Sequence, residues 1–206
     1  YPEGPSYWGY GTSYNILAIS MYRSALGTDF HLPESPGFME SATYRLITNA
    51  PSGHSFNYSD ASLGGIGLGT WGLLAWFAKE TGKALYLNTN KFLSLTKEAI
   101  ADNQSLSRTA PTTLIWMAQF EKQEQGSLPL YWKGEGKNPI AIFRAESHEN
   151  TGFYLGVKGG SASVNHGNMD VGSFIFELGG VRWSIVPGIQ AYHELEQIMG
   201  SGLWNK

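Results

Sequence analysis

From Tyr14 onward, Tyr14, Leu17, Ala18, Met21, Tyr22 and Ala25 recur at intervals of three and four residues. That is the period of one helix face, and Gly27 is placed to end it. The stretch SPGFMESATYRLITNA predicts a second helix, with Ser35 as cap and Pro36 in the first helical position. GTWGLLAWFAKETG predicts a third, from a Thr70 cap to Gly82. TNKFLSLTKEAIADN and RTAPTTLIWMAQFEKQ predict two more, while GHSFNYSDAS is too rich in turn formers to be helical. Around Gly126 the texture changes. LPLYWKG, NPIAIFRAES, TGFYLGVKGG and SFIFELGGVRWSIV are short runs of β-branched and aromatic residues between Gly, Pro and Asn. In the last of them, Gly179-Gly180 between two apolar runs reads as a tight hairpin. Helices first and antiparallel strands second predict an α+β chain with a boundary near 123–130.

Composition narrows the classes. The 206 residues suffice for a sizeable core, and charged residues make up only 15% against 14% aromatics, which excludes a disordered chain. A net charge of −3 without a basic cluster argues against nucleic acid as a partner. Cysteine is absent, so disulfides and thiolate metal sites are excluded. No apolar run is long enough to span a membrane as a helix. The abrupt start at YPEGPSYWGYG, with neither initiator Met nor leader, leads us to expect a piece of a longer protein.

Two stretches carry candidate chemistry. YPEGPSYWGYG holds four aromatic rings and one carboxylate. It reads either as aromatic packing ahead of the first helix or as a tyrosine presented on a loop. A phenol, with an unperturbed pKa of about 10, serves as general base only where neighbours stabilise the phenolate. SVNHGNMDVGSF sets Asn165, His166, Asn168 and Asp170 within six residues, and an extended backbone would turn alternate side chains to one side. Its glycines favour a rim position for His166, where imidazole takes a proton or imidazolium pairs with a carboxylate. His31, His54, His148 and His193 show no metal-ligand spacing. FNYSD, residues 56–60, reads either as an Asx-capped turn or as a polar ligand contact through Asn57, Tyr58 and Asp60. Lys133, Arg144, Lys158 and Arg182 are candidates for contacts to an anion or else solvated strand residues.

EGPSYWGYG, FNYSD, NHGNMDVGSF and GGVRWSI, in this order, resemble the heparinase II/III-like polysaccharide lyases. The resemblance covers nearly the whole chain and is most specific over 140–192. It implies the C-terminal part of an (α/α) toroid over 1–125 and the start of an antiparallel β-sandwich over 126–206, with the active site in the cleft between them. The implied reaction is β-elimination in a glycan that contains uronic acid, with tyrosine as base, acid or both and histidine assisting. Carried over by position, the catalytic residues are Tyr7 and His166, with Tyr10 as the fallback tyrosine. Asn165, Trp8, Asn57 and Tyr58 are the expected contacts to substrate. The resemblance also implies a periplasmic or secreted location, and a carboxylate-binding residue lying before Tyr1. The 206 residues alone are therefore expected to be inactive.

In the family pattern a second histidine and an aspartate are zinc ligands; here those positions are Asn168 and Val186, and the third ligand would fall beyond Lys206. An amide and an isopropyl group do not replace imidazole and carboxylate, so no metal or other cofactor is expected. Asp170 is then left to fix the turn before Ser173. Two other readings stand beside the lyase. A non-catalytic relative would bind glycans through the same cleft. A glycoside hydrolase would need two facing carboxylates, for which the motifs offer only Glu3 and Asp170.

Overall fold

The structure is a computed structural model that describes residues 1–145, 152–167, 169–189, 193, 194 and 197. Asn168 and His148 lie outside the described residues. Five α-helices come first: α1 (Pro5–Leu26), α2 (Ser41–Ile47), α3 (Leu68–Thr81), α4 (Thr89–Ala101) and α5 (Ala110–Ala118). Among the described residues, five strands follow: β1 (Tyr131–Gly134), β2 (Ile140–Arg144), β3 (Phe153–Lys158), β4 (Phe174–Leu178) and β5 (Val181–Ser184). They form one antiparallel sheet in the order β1-β2-β3-β4-β5. The chain is thus α+β, with helices and sheet segregated along the sequence.

Helices α1 and α3 end at Gly27 and Gly82 as expected, and Asn88 caps α4 by accepting a hydrogen bond from the Lys91 amide at 3.0 Å. Four expectations fail. Helix α3 begins at Leu68 behind Gly67, so Thr70 lies inside its first turn and does not cap it. Helix α1 begins at Pro5, so the aromatic motif forms its first turns rather than a loop ahead of it. Its buried face is Pro5, Trp8, Thr12, Ile16 and Ile19, while Tyr14, Met21 and Tyr22 are exposed. The helix therefore presents apolar residues on two sides, and the periodicity from Tyr14 picked the outer one. Helix α2 starts at Ser41 because residues 36–40 form turns that include Gly37 at φ 79°.

The hairpin at Gly179-Gly180 is present, with φ of 59° and 76°; two residues at positive φ match the twist of the flanking strands. The sheet turns Ile140, Ile142, Tyr154 and Ile175 inward, where they share one core with Trp8, Ile16, Leu74, Trp76 and Phe77 from the helices. Its outer face carries Tyr131, Phe143, Phe174, Leu178, Val181 and Trp183, all exposed.

Between helices and sheet runs a segment without regular structure, Ser55 to Ala61, every residue of it buried. Buried irregular backbone must find partners for its own amides and carbonyls. Here the Phe56 amide donates to Thr48 O at 2.8 Å and the Ser59 amide to Asp170 Oδ2 at 2.8 Å. Ser55 O accepts from Arg182 Nη1 at 3.2 Å. Strand β3 makes room for the Phe56 ring at Gly156, where a Cβ would sit 2.8 Å from that ring. Gly4 does the same for the start of α1. It has φ 86°, and a Cβ there would lie 2.7 Å from both Tyr58 O and the Ala61 methyl.

Two ion pairs fasten this layer to the sheet. Lys158 on β3 is fully buried, pairs with Asp170, and donates to Gly167 O at 2.9 Å. Glu177 on β4 is also buried, and its carboxylate accepts from Arg182 Nε at 2.6 Å, Ser52 Oγ at 2.6 Å and the Ser52 amide at 2.9 Å. Lys158 and Arg182 are therefore engaged inside the molecule and are not contacts for an external anion. Asp170 does more than fix a turn, since its carboxylate joins β3 to residue 59. Removing one member of a buried pair leaves an uncompensated charge. Lys158→Met is thus expected to lower unfolding free energy by about 3–5 kcal/mol, and Lys133→Met, at an exposed pair, by about 0.5 kcal/mol or less. Urea denaturation of the two variants checks this; equal midpoints would refute the structural role of Lys158.

Candidate functional site

His166 lies in a turn that follows β3, at φ 56°, with its side chain about a third exposed. The backbone there is left-handed rather than extended, so a strand-like alternation does not set the direction of the His166 side chain. The ring is aimed instead by a buried acid. Its Nδ1 lies 2.5 Å from Asp60 Oδ2, and the Asp60 side chain is only 5% exposed. A carboxylate accepts hydrogen bonds, so in the neutral ring Nδ1 carries the proton and Nε2 keeps its lone pair. The ring is thereby oriented as the imidazole of an acid–base dyad is. Asp60 was one of three possible ligand contacts in FNYSD; its place is beneath the histidine.

His166 and Asn165 line an open depression of about 450 Å³ together with Pro2, Glu3, Lys137 and Ser163. Asn165 is exposed at the rim of this hollow. The charges around the hollow are Lys137, Glu3 and, when protonated, His166. A polar ligand there meets a cation, an amide and an imidazole with a free nitrogen. The N-terminal residues that form one wall are held by the interior: Pro2 O accepts from Asn138 Nδ2 at 2.7 Å, and Tyr1 O accepts from the Tyr58 hydroxyl at 3.0 Å.

The remaining candidates fall elsewhere. Trp8 is 1% exposed and packs at 5.9 Å from Phe77, so it is a core residue and cannot touch a glycan. Tyr58 is fully buried, its hydroxyl bonded to Tyr44 and Tyr1 O, and burial holds its phenol well above 10. Asn57 is turned inward, donating to Val186 O at 3.1 Å. These three are corrections with one cause: the FNYSD segment and the first turns of α1 are interior surfaces. Val186, which the resemblance sets at a metal-ligand position, packs against the core. Tyr7 stands half-exposed on the first turn of α1 and does not line the hollow around His166. Tyr10 is exposed on the same helix, and a hydrogen bond with Tyr14 is the largest cause that raises its phenol above the ordinary value. That direction disfavours Tyr10 as a base.

No protein-family model matches this chain, and a search of curated proteins finds no match. The dyad itself is directly testable. In ring nitrogen NMR, neutral His166 is expected to hold its proton on Nδ1, and Asp60→Ala is expected to remove that bias. A wild-type ring protonated on Nε2 would contradict the hydrogen bond to Asp60.

Proposed function

We propose that this chain carries part of the active site of a polysaccharide lyase of the heparinase II/III-like kind, cleaving a glycan that contains uronic acid by β-elimination. The observation that carries the reading is the Asp60–His166 dyad opening into a hollow with Lys137 and Asn165. The order of the four motifs supports it, as does the packing of a helical part against an antiparallel sheet. An incomplete toroid followed by one layer of a sandwich would have this appearance. The exposed apolar outer face of the sheet suits a second layer. A secreted or periplasmic location would suit the substrate.

The C5 proton of a uronate is weakly acidic until the neighbouring carboxylate is neutralised. We assign Lys137 to that carboxylate and Asn165 to a polar contact beside it. A base takes the C5 proton, the electron pair forms the C4–C5 double bond, and the C4–O4 bond breaks. The departing oxygen then receives a proton. His166 Nε2 serves one of these transfers, and Tyr7, by resemblance, the other. Asp60 keeps the ring aimed and stabilises it when it is protonated.

Tyr7 is not part of the same hollow, which favours the second reading, a non-catalytic glycan-binding relative. The full-length protein, screened on several uronic-acid glycans, is expected to give the ultraviolet absorbance of an unsaturated uronide. His166→Ala is expected to lower kcat by about 10²–10⁴-fold, and Tyr7→Phe by a comparable factor. Binding without any absorbance would favour the non-catalytic relative. New reducing ends without absorbance would mean hydrolysis.

A further inference from the structure

A second concavity, of about 370 Å³, lies between α1, the first turn of α3 and the residues just before α5. It shares no lining residue with the hollow around His166. Two close approaches shape it. Gly9 on α1 faces Thr70, where a Cβ would stand 3.2 Å from the hydroxyl, and Gly69 faces Ser107, where one would stand 3.4 Å away. Small residues thus let the helix surfaces converge and leave a trough whose wall is the exposed pair Tyr10 and Tyr14. Their rings meet edge to face at 5.3 Å.

We propose that this groove binds an acidic saccharide. A sugar ring has an apolar C–H face and a rim of hydroxyls. The groove offers both complements: the phenol rings with Leu17 and Leu73 for the C–H face, and the Thr70 hydroxyl, with Ser13 and Ser107 already bonded to Tyr10 O and Thr109, for the hydroxyl rim. Arg108 is the one charged residue among those lining it. It is exposed and makes no ion pair among the described residues, unlike Arg23, Lys79, Lys133 and Lys158. A guanidinium without a carboxylate partner, beside tyrosines and with no acid in the wall, selects an anion. Its planar fork fits a carboxylate or sulfate in two hydrogen bonds. Arg108, Tyr10 and Tyr14 line the same groove, which puts the cation and the aromatic wall within reach of one ligand.

The acidic class agrees with the proposed lyase, and the choice of probes rests on that reading. Calorimetry with alginate, chondroitin and heparin tetrasaccharides, and with neutral cellotetraose, is the test. At least one acidic tetrasaccharide is expected to bind and cellotetraose is not. Arg108→Ala is expected to weaken that binding by about ten- to hundredfold, Tyr10→Ala by about threefold or more, and His166→Ala by less than about twofold. Circular dichroism confirms the fold of each variant. The proposal is overturned if no acidic tetrasaccharide binds, if cellotetraose binds equally well, or if Arg108→Ala and Tyr10→Ala both bind like wild type. It is also overturned if His166→Ala alone abolishes binding, which would put the saccharide in the other hollow. Ultraviolet absorbance followed on the same samples separates the two readings. In the full-length protein, binding that depends on Arg108 with no unsaturated product supports this site and favours the non-catalytic relative over the lyase.

Discussion

Two buried donors, the Lys158 ammonium and the Ser59 amide, end on the carboxylate of Asp170. The architecture depends on that convergence. A seven-residue segment without a helix or a ladder runs through the interior, and every residue of it is buried. Left unpaired, each buried polar group costs about 1–3 kcal/mol and a charge costs more. Asp170 settles one end of the segment. Glu177, with Arg182 and Ser52, settles the other. Helices and sheet are therefore joined by a polar seam as well as by the apolar contacts of Phe56, Tyr154 and Ile175.

The candidate chemistry sits where this seam reaches the surface. Asp60 is the last acid of the buried segment and Asp170 the first acid after the His166 turn. One carboxylate aims an imidazole and the other anchors the strand beneath it. Rigid support under a partly exposed histidine is what an acid–base group requires, since its hydrogen-bonding geometry must survive contact with a ligand. The groove lined by Tyr10 and Arg108 is of another kind. It is formed by helix surfaces that glycines bring together, and it depends on no buried charge.

Much of the architecture was legible in the sequence. Short runs of β-branched and aromatic residues between Gly, Pro and Asn located the strands, paired glycines located the last hairpin, and glycine stops closed α1 and α3. The composition of such a run is local information. The start of α1 was not legible, because Gly4 and Pro5 resemble a loop until the contact of Gly4 with Tyr58 and Ala61 is known. The same holds for Trp8, Asn57 and Tyr58, whose polar or aromatic character suggested a ligand and whose partners are interior. Asp60 beneath His166 joins residues 106 apart, a pairing that no local pattern contains. The left-handed turn at His166 hid its true direction for a related reason: a positive φ at a residue other than glycine is rarely announced by its neighbours.

Several ties that complete the buried segment and its approach come from far downstream. Ser59 waits for Asp170 across 111 residues, Ser52 for Glu177 across 125, and Asn57 for Val186 across 129. On a ribosome adding about 5–20 residues per second, that interval is roughly 6–25 s, far longer than helix formation takes. The nascent helical part therefore stands for seconds with an unsealed polar flank and a half-built core. It cannot become native until the last hairpin leaves the exit tunnel. A truncation before β4 would remove one edge of a sheet on paper, but in the cell it would leave the first helices without the strand that closes them, a ready client for chaperones.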